Sequence, residues 1–179
     1  MNGDKKGFTL IELLVSITVF AVLISAMMGI LISGIQAQRR SLAQQDALNQ
    51  LSFAIEYMSR ALRMAKKENG DGCLDAGDGY NYENPGGDIS EIRFINHLQA
   101  DACQRFYEQD KSIRYEDGSG SWFILTKNII IEELRFELSG ENETDNFQPR
   151  VTIFIQAISE GLAPINLQTT ISQRNPDVP

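Results

Sequence analysis

The chain has 179 residues, with 24 Asp and Glu against 16 Lys and Arg, for a net charge of −8. Residues 8–68 hold six basic and four acidic residues, a net of +2, whereas residues 69–179 hold eight and nineteen, a net of −11. An acidic region of this kind repels a phosphate backbone, so no nucleic acid partner is expected. Its acidity is expected to keep an exposed domain soluble.

The first element along the chain is an apolar run behind a basic leader. Lys5 and Lys6 precede the run, and the 23 residues from Leu13 to Ile35 contain no charge. As a helix these residues extend about 35 Å, enough to cross a hydrocarbon core of about 30 Å. The acid at the head of the run, Glu12, is costly near the centre of a bilayer, which indicates a function and a partner for it.

Two simpler interpretations of this run exist. A secretory signal peptide has an apolar stretch of about 7 to 15 residues, and this run is too long for one. A plain membrane anchor fits the length but gives Glu12 no role. Basic residues do not decide the orientation, because Arg39 and Arg40 follow the run just as Lys5 and Lys6 precede it.

Residues 5–15 read Lys-Lys-Gly-Phe-Thr-Leu-Ile-Glu-Leu-Leu-Val. This segment resembles the class III signal of type IV prepilins and of the pseudopilins of type II secretion. The resemblance implies that residues 1–7 are a leader, that a prepilin peptidase cleaves between Gly7 and Phe8, and that the new amine of Phe8 is N-methylated. Residues 8–35 would then form the transmembrane and assembly helix.

The same resemblance gives Glu12 a partner. Cleavage would leave the Phe8 amine, with an intrinsic pKa of about 7.7 to 8.0, as a cation at a helix N-terminus. The helix dipole disfavours a cation there and favours Glu12, and an unpaired charge buried in a filament costs several kcal/mol. The resemblance implies that Glu12 binds the Phe8 amine of a neighbouring subunit and so sets the axial register of insertion.

The apolar helix is expected to continue as an amphipathic helix over residues 36–68. Apolar residues recur every three or four positions, at Leu48, Leu51, Ile55, Met58, Leu62 and Ala65. Lys66 and Lys67 suit a last helical turn, and Asn69-Gly70 a left-handed cap. A helix over residues 8–68 would be about 90 Å long, with Gly29 and Gly34 as its weak points.

Residues 69–179 are predicted to form a β-rich globular head. Gly, Asp and Asn crowd residues 71–88, which predicts a loop, and strand-like runs follow at 89–98, 113–115, 121–125, 134–138, 151–157 and 165–171. Gly118-Ser119-Gly120 and Ser139-Gly140 punctuate these runs as turns. The fold class is therefore α+β, with a long helix laid across an antiparallel sheet, as the pilin resemblance also implies.

The two cysteines, Cys73 in the loop and Cys103 after the first strand, are expected outside the membrane, where disulfides persist. A bridge between them is predicted, and two unpaired buried thiols are the alternative. No cofactor or metal is expected. Calcium is the open alternative, because Asp71, Asp75, Asp78, Asn81, Glu83 and Asp88 offer oxygen ligands, although without an EF-hand pattern.

Catalytic motifs are missing from the sequence, so no enzyme is predicted. Glu132 and Glu133 are expected on opposite faces of a strand, and His97 is interpreted as a polar residue near a strand end. Trp122 and Phe123 are expected in the core, with an exposed recognition patch as the alternative.

These features predict a structural minor subunit of a type IV pilus-like or type II secretion filament, similar to the J-like minor pilins and pseudopilins in its stem and its tail 167–174. Expected partners are prepilin peptidase, other pilin or pseudopilin subunits, an inner-membrane assembly platform and the membrane itself. The precursor would be a single-pass inner-membrane protein with its head outside the cytoplasm, and would then enter a pilus or pseudopilus. The alternatives are an adhesin or binding module displayed on such a filament, and a major pilin.

Overall fold

A computed structural model describes residues 7–70, 72–142, 144, 147–159 and 161–174. One α-helix, α1, spans Leu10–Arg63 and passes through Gly29 and Gly34 without interruption. The chain divides into two compact units, an N-terminal unit (Met1–Leu42) and a C-terminal unit (Ala43–Pro179). All the strands described below belong to the C-terminal unit, so the fold is α+β, as predicted.

The strands form two antiparallel sheets. Their bounds are β1 (Ala65–Lys66), β2 (Tyr82–Glu83), β3 (Glu91–Asn96), β4 (Ala102–Gln109), β5 (Ser112–Glu116), β6 (Trp122–Ile124), β7 (Ile130–Ser139), β8 (Arg150–Ile158) and β9 (Ile165–Ser172). Within the described residues, the first sheet has the order β1-β3-β4-β5-β6, with β2 also paired to β3, and the second has the order β7-β8-β9. The predicted antiparallel β head is confirmed, and its strands are divided between these two sheets.

The C-terminal part of α1 and both sheets share one hydrophobic core. The helix contributes side chains spaced by three or four residues, and these are buried: Ala47, Leu51, Ala54, Met58 and Leu62. They meet inward-facing residues of both sheets, among them Phe94, Phe106, Phe136 and Ile153. The predicted stripe is confirmed at Leu51, Met58 and Leu62, while Leu48 is exposed and Ile55 is only half-buried.

The helix ends at Arg63, five residues before the predicted end at 68. The last helical carbonyls need donors from outside the helix, and the rest of the unit supplies them. The Tyr82 hydroxyl donates to the Leu62 carbonyl at 2.8 Å, and the Arg174 N–H donates to the Arg63 carbonyl at 3.0 Å. Ala65 and Lys66 then pair with β3, so Lys66 lies in a strand and not in a last helical turn.

The strand predictions missed β4. The sequence of β4 holds only one large apolar residue on its inner face, Phe106, because the other buried position is Gln104. Gln104 is tolerated there since its side-chain oxygen accepts a hydrogen bond from the Asn96 amide at 3.0 Å. Cys103 follows β3, as predicted, and it lies within the missed strand β4, opposite Ile95.

A β-bulge in β7 corrects the expectation for the paired acids. The register with β8 shifts between Ile131 and Glu133, and both Ile131 and Leu134 are buried. Because the bulge inserts one residue between these two inward positions, neither Glu132 nor Glu133 points into the core. Glu132 is exposed and Glu133 is half-buried, so the two do not lie on opposite faces.

Candidate functional site

The start of α1 is the candidate functional site. Gly7 and Phe8 precede the helix and are exposed, with 79% of Phe8 accessible, so the predicted cleavage position is open to an enzyme. Thr9 and Glu12 then cap the helix. The Thr9 N–H and hydroxyl donate to Glu12 Oε2 at 3.3 and 3.2 Å, and the Glu12 N–H donates to Thr9 Oγ1 at 3.3 Å.

These reciprocal bonds are a capping box. The sequence analysis missed it, although the pattern Thr-x-x-Glu immediately before an apolar run is its signature. The box satisfies two N–H groups that no helical carbonyl can reach, and it holds a carboxylate where the helix dipole favours negative charge. Within one chain, then, Glu12 stabilises the first turn. Its predicted pairing with the Phe8 amine joins two subunits and stays a prediction.

The apolar part of α1 exposes its side chains in every direction. All residues from Gly7 to Leu42 are exposed, and a window of α1 is long and apolar enough to cross a membrane. The hydroxyls in this segment bond to the helix's own carbonyls: Ser16 to Glu12 at 2.7 Å, Ser25 to Ala21 at 2.8 Å and Ser33 to Gly29 at 2.9 Å. Such a surface suits lipid or other apolar helices, because its polar groups are satisfied internally.

The comparisons with known proteins concern this segment. A family model described as the prokaryotic N-terminal methylation motif matches residues 2–28. The chain carries a prepilin-type methylation motif. This motif is the class III signal of type IV prepilins, and it implies processing by prepilin peptidase and assembly with other pilins. No curated protein and no solved structure matches the chain.

The prepilin-type motif and the apolar helix together indicate membrane anchoring through the N-terminus. The matched residues include Gly7, Phe8 and Glu12, and they end within the apolar part of α1. The basic leader residues Lys5 and Lys6 belong to the match and lie outside the described residues. The α+β arrangement of the remainder is pilin-like.

The predicted disulfide is present. Cys73 and Cys103 are bonded, with their Cα atoms 5.5 Å apart, and Leu74 and Ile95 are buried against them in a small second cluster. The bridge ties the loop after β1 to β4. Two unpaired thiols, the alternative, are therefore excluded.

A buried carboxylate organises the same loop. Glu68, only 1% exposed, accepts hydrogen bonds from the N–H groups of Gly72 at 2.9 Å, Cys73 at 2.9 Å and Leu74 at 3.0 Å. Charge-assisted bonds of this kind are stronger than neutral ones. Since Glu68 was predicted to lie in a helix, sequence reasoning missed this role, and no local motif announces it.

The acids of the loop are engaged with protein groups at separate points. Asp75 lies 3.2 Å from Arg93, Asp78 accepts the Gly70 N–H at 2.7 Å, and Glu83 accepts the Asp75 N–H at 2.7 Å. Among the described residues no three His, Cys, Asp or Glu side chains come together as a metal site, and Asp71 lies outside that part of the chain. Calcium binding stays an open alternative that calorimetry tests.

His97 is exposed in a short 3₁₀ turn directly after β3, as the sequence suggested. Its Nδ1 lies 3.2 Å from Asp101, and the Lys66 ammonium lies 3.0 Å from the same carboxylate. Hydrogen bonds from Lys66 and His97 lower the pKa of Asp101. This is a surface charge network, and it resembles no catalytic arrangement.

Trp122 and Phe123 are exposed, by 52% and 56%, so the prediction of a core position was wrong. They lie in β6, the outermost strand of the first sheet, where nothing among the described strands covers them. The alternative of an exposed patch is the one that the structure supports.

Proposed function

We propose that the protein is a structural minor subunit of a type IV pilus-like or type II secretion filament, inserted through its apolar N-terminal helix. The observation that carries the proposal is the start of α1. There an open Gly7-Phe8 boundary is followed by an acid, Glu12, at the head of a helical segment whose side chains are exposed as far as Leu42. Such a chain needs neighbouring subunits, because its apolar helix surface must be covered by other helices when it leaves the membrane, where it would otherwise contact water.

Processing changes the charge at this site. Cleavage after Gly7 makes a new amine at Phe8, one residue before the N–H that donates to Glu12. Within one chain the carboxylate is shared among the Thr9 N–H, the Thr9 hydroxyl and the helix dipole. Both of the Thr9 donors are neutral, so the cationic amine of an adjacent subunit is a stronger partner in a dry filament core.

The capping box therefore acts as a holding arrangement in this proposal. It supplies hydrogen bonds to the Glu12 carboxylate while the subunit is in the bilayer. These bonds are exchanged for the Phe8 amine of a neighbouring subunit when the subunit is inserted into the filament. The exchange need not break the other half of the box, in which the Glu12 N–H donates to Thr9 Oγ1 at 3.3 Å.

The test is Glu12→Ala in cells that carry the assembly machinery. We expect normal cleavage, read as a mature chain that begins at Phe8 in mass spectrometry, with incorporation into sheared filaments reduced at least about tenfold. Glu56→Ala is the matched control. It removes another carboxylate of α1, one exposed and paired with Arg60 at 2.6 Å, and should assemble normally.

Thr9→Val separates the two roles of Glu12. This variant removes the cap and keeps the carboxylate, so it should assemble close to the normal level. Equal failure of Thr9→Val and Glu12→Ala would mean that capping alone matters. Normal incorporation of Glu12→Ala, or a filament subunit that begins at Met1, would refute the proposal.

The minor role is supported by the resemblance of the stem and of residues 167–174 to minor pilins and pseudopilins. Abundance tests it. A minor subunit is scarce in sheared filaments and its deletion reduces their number, whereas a major pilin dominates them. An adhesin would leave filament number unchanged and remove attachment.

A further inference from the structure

Strand β6 is an open edge with apolar side chains on both of its faces. It is the last strand in the order β1-β3-β4-β5-β6, and no described strand pairs with its outer side. Trp122, Phe123 and Ile124 are exposed by 52%, 56% and 39%. Natural edge strands are usually protected by charge, proline or a covering segment. None of these three residues is charged, and none is proline.

The backbone of β6 has groups available for a further strand. Asp117 N–H donates to the Ser121 carbonyl at 2.9 Å, and Leu125 N–H donates to the Ile113 carbonyl at 2.8 Å. Residues 121 and 125 therefore face β5, and so does Phe123, which pairs with Tyr115. Because backbone groups alternate in direction along an antiparallel strand, the N–H and carbonyl groups of Trp122 and Ile124 point away from the sheet.

Neighbouring side chains hold the exposed aromatic rings in place. The Arg114 guanidinium lies over the Trp122 ring, 4.7 Å from its centroid, and Asp110 fixes that guanidinium at 2.6 Å. On the other face the Phe123 ring stacks on Tyr115, with centroids 6.2 Å apart. The side chain of Arg114 is 14% exposed, so Trp122 rests on a rigid base. Trp, Tyr and Arg are the residues enriched at the energetic centres of protein interfaces.

We propose that β6 is a docking edge for an extended segment of a different protein, which adds to the sheet as a strand and carries apolar side chains together with basic residues. Strand addition of this type combines main-chain hydrogen bonds with pockets for alternate side chains. This proposal goes beyond filament assembly through α1 and does not depend on processing at Gly7.

Charge selects this occupant over a second copy of the chain. Residues 69–179 carry eight basic and nineteen acidic residues, a net of −11, so two such regions repel each other. At the Trp122 end of β6 the acid that faces a partner is Asp117, which opens the adjoining turn, because Glu116, the cross-strand partner of Trp122, is paired with Arg105 at 2.6 Å. Hydrogen bonds lower the pKa of the Asp117 carboxyl, so it is negatively charged at neutral pH. The largest effect comes from the Ser119 hydroxyl, and the backbone N–H groups of Ser119 and Ser121 add to it.

The chain supplies its own reporter, because Trp122 is its one tryptophan. We would titrate the full-length chain, in detergent micelles, with a synthetic peptide of alternating Val and Thr flanked by Lys. Binding should shift the Trp122 emission to the blue and saturate. A matched peptide flanked by Glu should bind at least about tenfold more weakly, and added salt should reduce the difference.

Ile124→Pro tests the strand geometry. Its N–H points away from β5, so proline removes an outward donor and keeps the pairing within the sheet. The variant keeps Trp122 as reporter and should lose at least about tenfold in affinity. Leu98→Ser is the matched control, since it removes another exposed apolar side chain of the C-terminal unit, and it should bind like the parent.

Four results would overturn the proposal. The first is that the Lys-flanked peptide causes no shift in the Trp122 emission, and the second is that the Glu-flanked peptide binds as tightly as the Lys-flanked one. The third is that Ile124→Pro, shown to be folded by circular dichroism, binds the Lys-flanked peptide like the parent. The fourth is a dimer in sedimentation that Ile124→Pro dissociates, which would make a second copy the occupant. The peptide titration and the sedimentation do not depend on whether Glu12→Ala assembles into filaments. Either proposal can therefore be refuted while the other stands.

Discussion

Loss of the Cys73–Cys103 disulfide is expected to destabilise the C-terminal unit strongly. The bridge joins residues 30 apart in sequence, and both lie against the small cluster of Leu74 and Ile95. In the chain-entropy account, a cross-link of this span removes conformational freedom from the unfolded chain worth about 3.5 kcal/mol at 25 °C. Hydrogen bonds to Glu68 also order the loop, but they form only in the folded state, so they do not replace this effect.

This free energy converts to a shift in melting temperature. The C-terminal unit spans Ala43–Pro179. For about 140 residues the unfolding entropy near 60 °C is about 0.3 kcal/mol/K, so a loss of 3.5 kcal/mol lowers the Tm by about 12 °C. The shift is large compared with the error of a thermal scan.

The assay is thermal unfolding of the full-length chain in detergent micelles, followed by near-ultraviolet circular dichroism. Two samples should show the same lowered Tm: the parent chain under a phosphine reductant, and the Cys73→Ala, Cys103→Ala double variant. Titration of free thiols should find none in the parent and two in the reduced chain. The reductant should leave the Tm of the double variant unchanged.

A fall of less than about 3 °C in both samples would refute the reasoning. It would mean that the unfolded chain is already constrained near these residues, or that the bridge strains the folded state. A fall in the double variant alone would instead assign the effect to lost packing of the sulfur atoms.

Four further predictions follow from single contacts. Glu68→Gln should cost about 1.5 to 3 kcal/mol, seen as a lower Tm in the same assay, because an amide has one acceptor oxygen for three backbone donors. Leu51→Ala should cost about 2 to 5 kcal/mol in that assay, since Leu51 is fully buried. Thr9→Val should remove about 1 kcal/mol from the first turn of α1, seen as roughly fivefold faster amide exchange at Glu12 and Leu13. Burial, and then Tyr57 and Asp117, raise the pKa of the Tyr115 hydroxyl above its usual value. The stability that this shift contributes is therefore complete below about pH 10 and is lost as the pH rises further. Tyr115→Phe should flatten that alkaline fall in Tm.

Each of these has a contrary outcome. An unchanged Tm for Glu68→Gln would show that the loop reorganises around the amide, and a loss below about 1 kcal/mol for Leu51→Ala that the core collapses into the cavity. Unchanged exchange for Thr9→Val would mean that micelle contacts, not the cap, protect the first turn. A parallel alkaline fall for Tyr115→Phe would assign it to another group.

Much of the candidate site could be predicted from the sequence, because it is local. The class III signal, the apolar run and the position of Glu12 all lie within about 30 consecutive residues, and none of them needs a tertiary contact. The capping box belongs to the same class. It follows from Thr9 and Glu12 alone, three residues apart at the start of an apolar run.

The disulfide was also within reach of sequence, since two cysteines outside a membrane have one possible partner each. By contrast, strand β4 and the burial of Gln104 within it could not be predicted from the sequence. A strand whose inner face carries a glutamine breaks the alternation by which strands are recognised, and only its bond with Asn96 makes the position acceptable.

By itself, the sequence determined the processing motif, the long apolar helix, the α+β class and the pairing of the cysteines, because these depend on residue order over short spans or on the count of residues. Tertiary structure alone decided where α1 ends, since the Tyr82 hydroxyl and the Arg174 N–H take the last helical carbonyls from residues far along the chain. It also decided that the strands form two sheets and that Trp122 lies at an open edge. Exposure depends on which strand ends a sheet, and strand order is set by long-range pairing that local pattern does not encode.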